Sequence, residues 1–328
     1  MTTPLSLDLD SESTAPLLAD VLAQCAIDPD LGALLRTIAH AAIPLGLRLA
    51  QGHVPGDPTA IVGTNESGDR VKALDLAAHL HYLDALAGAS VSQVLSEEAE
   101  GVIRLNPQGK YDVAMDPIDG SGSIGIGAPL GALFSIFPAG HDFLREGREM
   151  IAAAYVSFGH SVDFGYSTGE GVAIATLDPI SRQWHVDAPS VSIQPESSTV
   201  AFNASNLRRW EPGLRAYVDG LLQGADGPRR RDFNMRWIAA AVGDLHRILR
   251  QGGTFLLPAD PRPAYRDGYL RLVYEAFPIA FLIEAAGGSA TDGRVDILDK
   301  TPASHHAKTP LVFGSRNEVA VIGDHLTA

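Results

Sequence analysis

Asp116-Pro117-Ile118-Asp119-Gly120-Ser121 is the stretch on which the reading of this 328-residue chain turns. An apolar run, Val113-Ala114-Met115, leads into Asp116 and stops at a proline, and Asp119 follows in a turn built with Gly120. A strand end followed by a tight turn can aim two carboxylates at one point. Two acids held close repel each other unless a cation or a proton lies between them. Hard cations such as Mg²⁺ take oxygen ligands of this kind, and the turn also offers the Ile118 carbonyl. The plainer alternative is an Asx-turn in which Asp116 and Asp119 only accept backbone hydrogen bonds.

Other acids occupy comparable places. Glu97 and Glu98 follow the apolar run Val91–Leu95 and Ser96, Asp69 and Asp75 flank the start of a helical segment, and Glu275 closes the run Leu270–Tyr274 ahead of Pro278. Ligands gather at strand ends in α/β proteins, although each of these acids alone would serve as a cap or a surface charge. Taken together they favour an oxygen-lined metal cluster. Gly120–Gly125 also matches the dinucleotide-loop pattern G-x-G-x-x-G, with Asp142 near the expected acidic offset. Against that reading, Asp116 and Asp119 would repel a bare pyrophosphate. His305-His306 lacks a third spaced metal ligand, and His40, His79, His81 and His246 read as packing or surface residues.

Composition narrows the class. The chain is 45% hydrophobic and 20% charged, with 25 Lys and Arg against 39 Asp and Glu and a formal charge of −14. Such a balance supports a sizeable core and argues against a nucleic-acid backbone as partner, because those binders carry a basic footprint. No uninterrupted apolar run suggests a membrane span, and the first twenty residues, without Lys or Arg, read as a loose leader rather than a secretory signal. A lone Cys25 excludes an internal disulfide and any thiolate metal cluster. The expected location is the cytoplasm.

Periodicity predicts helices over residues 31–50 (ended or bent by Pro44), 69–87, 209–222 and 234–250, and one from Pro278 closed by Gly287-Gly288. Strands are expected at 91–95, 111–115, through 128–178, and at 200–203, 254–257, 270–274 and 311–313. Arg229-Arg230-Arg231 reads as a solvated loop, with a phosphate-facing or subunit-contact role open because Arg236 is near in sequence. The polar stretch 190–198 divides the chain into units of 1–196 and 197–328, each layering α and β elements.

With these residues in view, the chain resembles a known family. DPIDGS at 116–121 is similar to the DPLDGS signature of class 1 fructose-1,6-bisphosphatases and of the wider lithium-sensitive inositol-phosphatase superfamily. The longer blocks GTNESGDRVKALD (63–75), SEE (96–98), RWIAAAVGDLHRIL (236–249), GGTFLLPAD (252–260) and LRLVYEAFPIAFLIEAAGG (270–288) resemble fructose-bisphosphatase blocks in order, as does the closing HHAKTPLVFGSRNEV. The resemblance implies an α+β sandwich of alternating helix and sheet layers, the sugar-phosphatase fold. It also implies hydrolysis of fructose 1,6-bisphosphate to fructose 6-phosphate with two or three Mg²⁺ ions per site, Mn²⁺ being a possible substitute, in a homotetramer. Carried over residue by residue, Glu97, Asp116, Asp119 and Glu275 resemble the metal ligands, with the Ile118 carbonyl. Asp69, Asp75 and Glu98 resemble the acids that position and deprotonate the attacking water. Gly120, Ser121 and Gly122 match the turn that contacts the 1-phosphate. Asn203, Asn206, Tyr269 and Arg271 fall on sugar-phosphate contacts, and Arg236 resembles the arginine that reaches the 6-phosphate from a neighbouring subunit.

The chain also departs from the family pattern. Tyr269 stands where a Lys is familiar, Asn206, Trp237 and Leu257 stand at Tyr positions, and Gly122 and Gly125 replace a usual Ser and Asp. These changes leave the metal acids intact and thin the sugar-phosphate pocket. Sedoheptulose 1,7-bisphosphate is therefore an alternative substrate. Inositol- or nucleotide-phosphate hydrolysis and a non-catalytic sugar-phosphate-binding regulator are the more distant readings. The nucleotide-inhibitor loop of the family is not recognisable around 27–36, so the resemblance does not carry AMP inhibition over to this chain.

Overall fold

The computed structural model describes residues 13–64 and 70–327. Its centre is a strand that is buried on both sides. In Leu130–Pro138, Ala132, Phe134 and Ile136 face one hydrophobic core, while Leu133 and Phe137 face another. Ala152–Phe158 divides the same way, with Ala152, Ala154 and Val156 on one side and Ala153 and Tyr155 on the other. A strand reads as a continuous apolar run only when both faces are covered, so these sequences require helices on both sides of their sheet.

That sheet has eight strands in the order Trp184–Val191, Val172–Leu177, Val162–Ser167, Ala152–Phe158, Leu130–Pro138, Tyr111–Asp119, Val91–Ser96 and Ile103–Arg104. All neighbours are antiparallel except Val91–Ser96 beside Tyr111–Asp119. Helices α1 (Leu18–Gln24), α2 (Pro29–Ala50) and α3 (Ala73–Ala87) cover one face. After α4 (Pro212–Leu222), helices α5 (Ala241–Gln251) and α6 (Phe277–Ala285) cover the other. A second sheet, ordered Asn234–Met235, Thr199–Phe202, Thr254–Leu257, Leu311–Gly314 and Ser289–Thr291, lies beyond α5 and α6. Its far face is covered by α4 and α7 (Arg316–Thr327). The result is five layers in which helix and sheet alternate, as expected from the sequence.

By length and composition α2 could cross a membrane. In the fold it is a core helix, with Leu34, Leu35, Ile38 and Ala42 buried.

Several local expectations are corrected. Pro44 does not end α2, which continues to Ala50. The expected loose leader over the first twenty residues is held to the fold from Pro16 onward. The Pro16 carbonyl accepts from Val186 N at 2.8 Å, and Leu18 and Leu22 enter the core through α1, while residues 1–12 lie outside the described residues. The helix expected at 209–222 begins only at Pro212, after a 3₁₀ turn over Ala204–Arg209. The helix expected at 234–250 starts at Ala241, because Asn234–Met235 joins the edge of the second sheet, parallel to Thr199–Val200. Ala239 then takes a left-handed backbone (φ 72°), which breaks the chain out of strand and into helix. Trp237, which falls within that expected helix, instead lies outside it and stacks on Phe255 at 5.4 Å.

The expected strand 270–274 is only Leu270–Arg271; Leu272–Ala276 forms a wide π turn leading into α6. Pro278 has no N–H to offer the Tyr274 carbonyl, and the Phe277 N–H reaches back to the Leu272 carbonyl instead. Arg229 and Arg231 are not a solvated pair. Both hydrogen-bond the carboxylate of Glu318, which is 1% exposed, and both guanidinium groups lie over the Phe233 ring. The helix α7 that carries Glu318 was not anticipated from the sequence.

Phe134 lies on the central strand, fully buried and edge-on to Tyr82 of α3 at 5.1 Å. Phe134→Ala should cost about 3–5 kcal/mol of stability, read from urea unfolding. A loss below about 1 kcal/mol would contradict this strand as the shared wall of two cores.

Candidate active site

The strand Tyr111–Asp119 continues through Asp116 to Asp119, with an irregularity in its pairing between Asp116 and Asp119, whose partners are Leu133 and Gly131. A bulge re-aims side chains relative to the regular pleat. Here it leaves Asp116 and Asp119 buried on the same side of the chain's path. Gly120 follows with φ 83°, and a Cβ there would lie 2.5 Å from the Ala240 Cβ, so both the turn and the approach of α5 require glycine. Ser121–Ser123 closes a short 3₁₀ turn, and no α-helix follows it. Because dinucleotide loops open a helix, the G-x-G-x-x-G match at 120–125 is not one.

Glu275 reaches the same place from the π turn. Oxygen atoms of Asp116, Asp119 and Glu275 lie within 4.8 Å of one another, and all three residues are buried. The Asx reading is also satisfied in part: Asp116 Oδ1 accepts from Ile118 N at 2.9 Å, and Asp119 Oδ2 accepts from Val242 N at 2.6 Å in the first turn of α5. Glu275 Oε2 accepts from Arg271 N at 2.5 Å. A few backbone donors do not neutralise three charges. Burial, and then repulsion from Glu97, raise the Asp116 and Glu275 carboxyl groups well above their ordinary range. Burial likewise pushes Asp119 up to about 7, against the Val242 hydrogen bond, with Glu97 and Asp244 adding to the rise.

Glu97 is thus close enough for its charge to act on all three acids, and its N–H donates to the Met115 carbonyl at 3.1 Å beside Asp116. Glu98 N approaches Ser96 Oγ at 3.4 Å, and the same hydroxyl meets His79 Nδ1 at 2.8 Å. Asp75, at the start of α3, accepts from Lys72 N through Oδ2, while its buried Oδ1 has no hydrogen-bond partner among the described residues. Burial pushes Asp75 up to about 6. Asp69 lies outside the described residues. A buried, all-oxygen donor set with raised carboxyl pKa values and an orphaned carboxylate oxygen suits a hard divalent cation.

The remaining expected residues are engaged as follows. Arg271 is buried and its Nη1 donates to the Tyr269 carbonyl at 3.3 Å. Asn206 is buried and donates to the Tyr269 hydroxyl at 3.2 Å. Asn203 uses its side-chain oxygen to cap the turn Ala204–Arg209, accepting from Ser205 N at 3.1 Å. Arg236 is exposed. His305 and His306 are engaged by Asp142 and by the Tyr274 hydroxyl, respectively, rather than sharing a site.

Models of the N-terminal and C-terminal domains of fructose-1-6-bisphosphatase match residues 28–188 and 193–327. The chain belongs to the class 1 fructose-1,6-bisphosphatase family. It is 49% identical over 293 residues to the class 1 fructose-1,6-bisphosphatases of Brucella suis (strain ATCC 23445 / NCTC 10510) and Brucella abortus (strain S19), covering 89% of this chain and 86% of each relative. Its fold is similar to that of Leishmania major fructose-1,6-bisphosphatase in holo form, with TM-score 0.90 and 28% identity over 96% of this chain and 100% of that one. The T-state of the same protein gives TM-score 0.83 at 27% identity, over 95% and 99%.

Some parts of this fructose-bisphosphatase site were not read from the sequence. Lys72 Nζ donates to the Ser121 carbonyl at 2.6 Å and ties α3 to the glycine turn. Asp244, fully buried in α5, accepts from Ile238 N at 3.1 Å and pairs with Arg247, fixing the segment that supplies Val242 N to Asp119. Lys72 sits inside the quoted 63–75 block and Asp244 inside 236–249, but no local pattern shows what a helix-borne acid or lysine will meet.

The raised carboxyl groups set a sign for the pH response. The folded chain holds protons that the unfolded chain releases near 3.8, so metal-free stability falls as pH rises from there through about 7, where Asp119 titrates. Thermal unfolding of chelator-treated protein should therefore show a midpoint that declines over this window, with a flatter slope in Asp119→Asn. Added Mg²⁺ should raise the midpoint more above the window than within it. Equal slopes for the two proteins would refute the coupling of this cluster to stability.

Proposed function

We propose that the buried acidic pocket is the catalytic centre for divalent-cation-dependent hydrolysis of fructose 1,6-bisphosphate to fructose 6-phosphate and phosphate. The observation that carries this reading is the convergence of Asp116, Asp119 and Glu275 within 4.8 Å from separate segments, in a chain of this family. Glu97, Asp116, Asp119, Glu275 and the Ile118 carbonyl would hold Mg²⁺, in two or three positions, with Mn²⁺ as a possible substitute. When bound, such cations neutralise phosphoryl charge and lower the pKa of water.

The chain's own residues account for the rest. Asp75, held near 6 by burial, lies in the range where a carboxylate can take a proton at neutral pH. With Glu98 and Asp69 it would orient the attacking water and accept its proton. The turn Gly120-Ser121-Gly122, braced by Lys72 at the Ser121 carbonyl, would receive the 1-phosphate on backbone N–H groups. Asn203, Asn206, Tyr269 and Arg271 would line the sugar-phosphate side. Exposed Arg236 would reach across a subunit boundary of a homotetramer, and the enzyme would work in the cytoplasm. Residues 1–196 would carry most of the metal acids and 197–328 the substrate contacts.

Tyr269 supports a second reading, hydrolysis of a longer ketose bisphosphate, because it places a neutral phenol where the family pattern has a cation. Phosphate release with Mg²⁺ from fructose 1,6-bisphosphate, sedoheptulose 1,7-bisphosphate and inositol 1-phosphate separates the readings, with preference for the fructose compound expected. Asp116→Ala should lower turnover by roughly 10³-fold or more, the scale of several kcal/mol of charge stabilisation. Near-normal turnover in that variant would sink the assignment.

A further inference from the structure

A polar network runs from the acidic pocket to a pair of arginines. Glu275 accepts from Arg271 N, and Arg271 Nη1 donates to the Tyr269 carbonyl. The Tyr269 hydroxyl donates to Asp260 Oδ2 at 2.6 Å and accepts from Asn206 Nδ2 at 3.2 Å and Arg262 Nη2 at 2.5 Å. Its single proton is therefore spent on Asp260, and the phenol has no donor left for a ligand.

Arg262 is built differently. Its Nε and Nη2 engage the buried Asp260 carboxylate, Nε at 2.9 and 3.0 Å, and Nη2 also donates to Asn206 Oδ1 at 3.2 Å. Its guanidinium lies 4.4 Å over the Tyr265 ring, which itself stacks on Tyr269 at 4.1 Å. One edge and one face of the group are thus fixed. Nη1 makes no hydrogen bond among the described residues, and the side chain is 34% exposed. Arg209 Nη1 donates to the same Asn206 oxygen at 3.2 Å and has no carboxylate partner among the described residues. Two arginines against one aspartate leave the group with a net charge of +1.

An arginine held along one edge by a carboxylate and stacked on a ring is pre-organised, so little side-chain freedom is lost when its outer donors meet an anion. A bisphosphate whose first phosphate occupies the acidic pocket must place its second at a distance from it, where positive charge is needed.

We propose that Arg262, oriented by Asp260 and assisted by Arg209, is a cation of the same subunit that recognises the second phosphate of the substrate alongside Arg236 from a neighbouring one, with Tyr269 acting as a spacer that positions it. This rests on the sugar-bisphosphatase reading above. Asp260 stays ionised because the Arg262 guanidinium beside it holds its carboxyl well below the usual carboxylate range, so the orienting pair persists across the working pH.

The test uses the full-length protein with Mg²⁺ and two substrates, fructose 1,6-bisphosphate and fructose 1-phosphate, the second lacking only the far phosphate. The readout is the ratio of their kcat/KM values. Arg262→Gln should lower that ratio roughly 10- to 100-fold, mainly through KM for the bisphosphate, as loss of a charge-assisted contact does. Arg262→Lys, which keeps the charge, should lower it less. Parallel losses on both substrates, or an unchanged ratio, would overturn the proposal in favour of a purely structural network. If Arg262→Gln does not fold, Arg209→Gln reads the same ratio, with a smaller fall expected and no fall counting against the proposal. A wild-type protein inert towards fructose 1,6-bisphosphate but active on another phosphate ester would instead overturn the underlying function.

Discussion

Negative charge gathered out of water is the constraint around which this molecule is arranged. Asp116, Asp119 and Glu275 lie within 4.8 Å of one another inside the protein, with Glu97 adding to the repulsion. Carboxylates in that situation must take up protons or share a cation. Packed elements hold them there: a strand buried on both faces carries Asp116 and Asp119, a proline-widened turn carries Glu275, and the first turn of α5 donates to Asp119. A loosely held cluster would relax towards solvent. This one is held by two hydrophobic cores meeting on either side of the same sheet.

The five-layer stacking explains why the site sits where it does. The helices α5 and α6 lie between the sheets and end or begin beside the acids, so one layer supplies both the packing and the backbone donors. Gly120 marks the closest approach of that layer to the glycine turn, where Ala240 leaves no room for a side chain. The same layer positions Asp244 and Arg247, which anchor the backbone at Ile238. Packing and electrostatics are thus exerted by the same few residues, and a change in one alters the other.

Much of this was legible in the sequence because its physical cause is local. The double-faced apolar runs around Leu130–Pro138 announce a covered sheet, and Asp116 to Ser121 announces a strand ending in a turn with two aimed acids. Errors cluster where tertiary partners overrule local preference. Trp237 reads as the apolar face of a helix, yet the open edge beside Thr199–Val200 draws Asn234–Met235 into a strand and leaves Trp237 on Phe255. Arg229 and Arg231 read as solvated until α7 delivers a buried Glu318 to them. The apolar run before Glu275 reads as a strand, because nothing in its composition, nor in the helix expected from Pro278, tells a strand from a π turn.

By itself, the sequence determined the order of layered α and β elements, the residue types able to hold a hard cation, and, through several ordered blocks, the family. The first two follow from side-chain chemistry and short-range periodicity and the family from the resemblance of its blocks, none of which needs knowledge of distant partners. The tertiary structure alone decided that Glu275 meets Asp116 and Asp119, that Asp75 keeps a buried oxygen without a partner, and that Tyr269 spends its proton on Asp260 beside Arg262. The meeting of Glu275 with Asp116 and Asp119 joins segments far apart in the chain. Its existence depends on how hydrophobic layers stack, and that is fixed by the summed burial of the whole fold rather than by any stretch of residues.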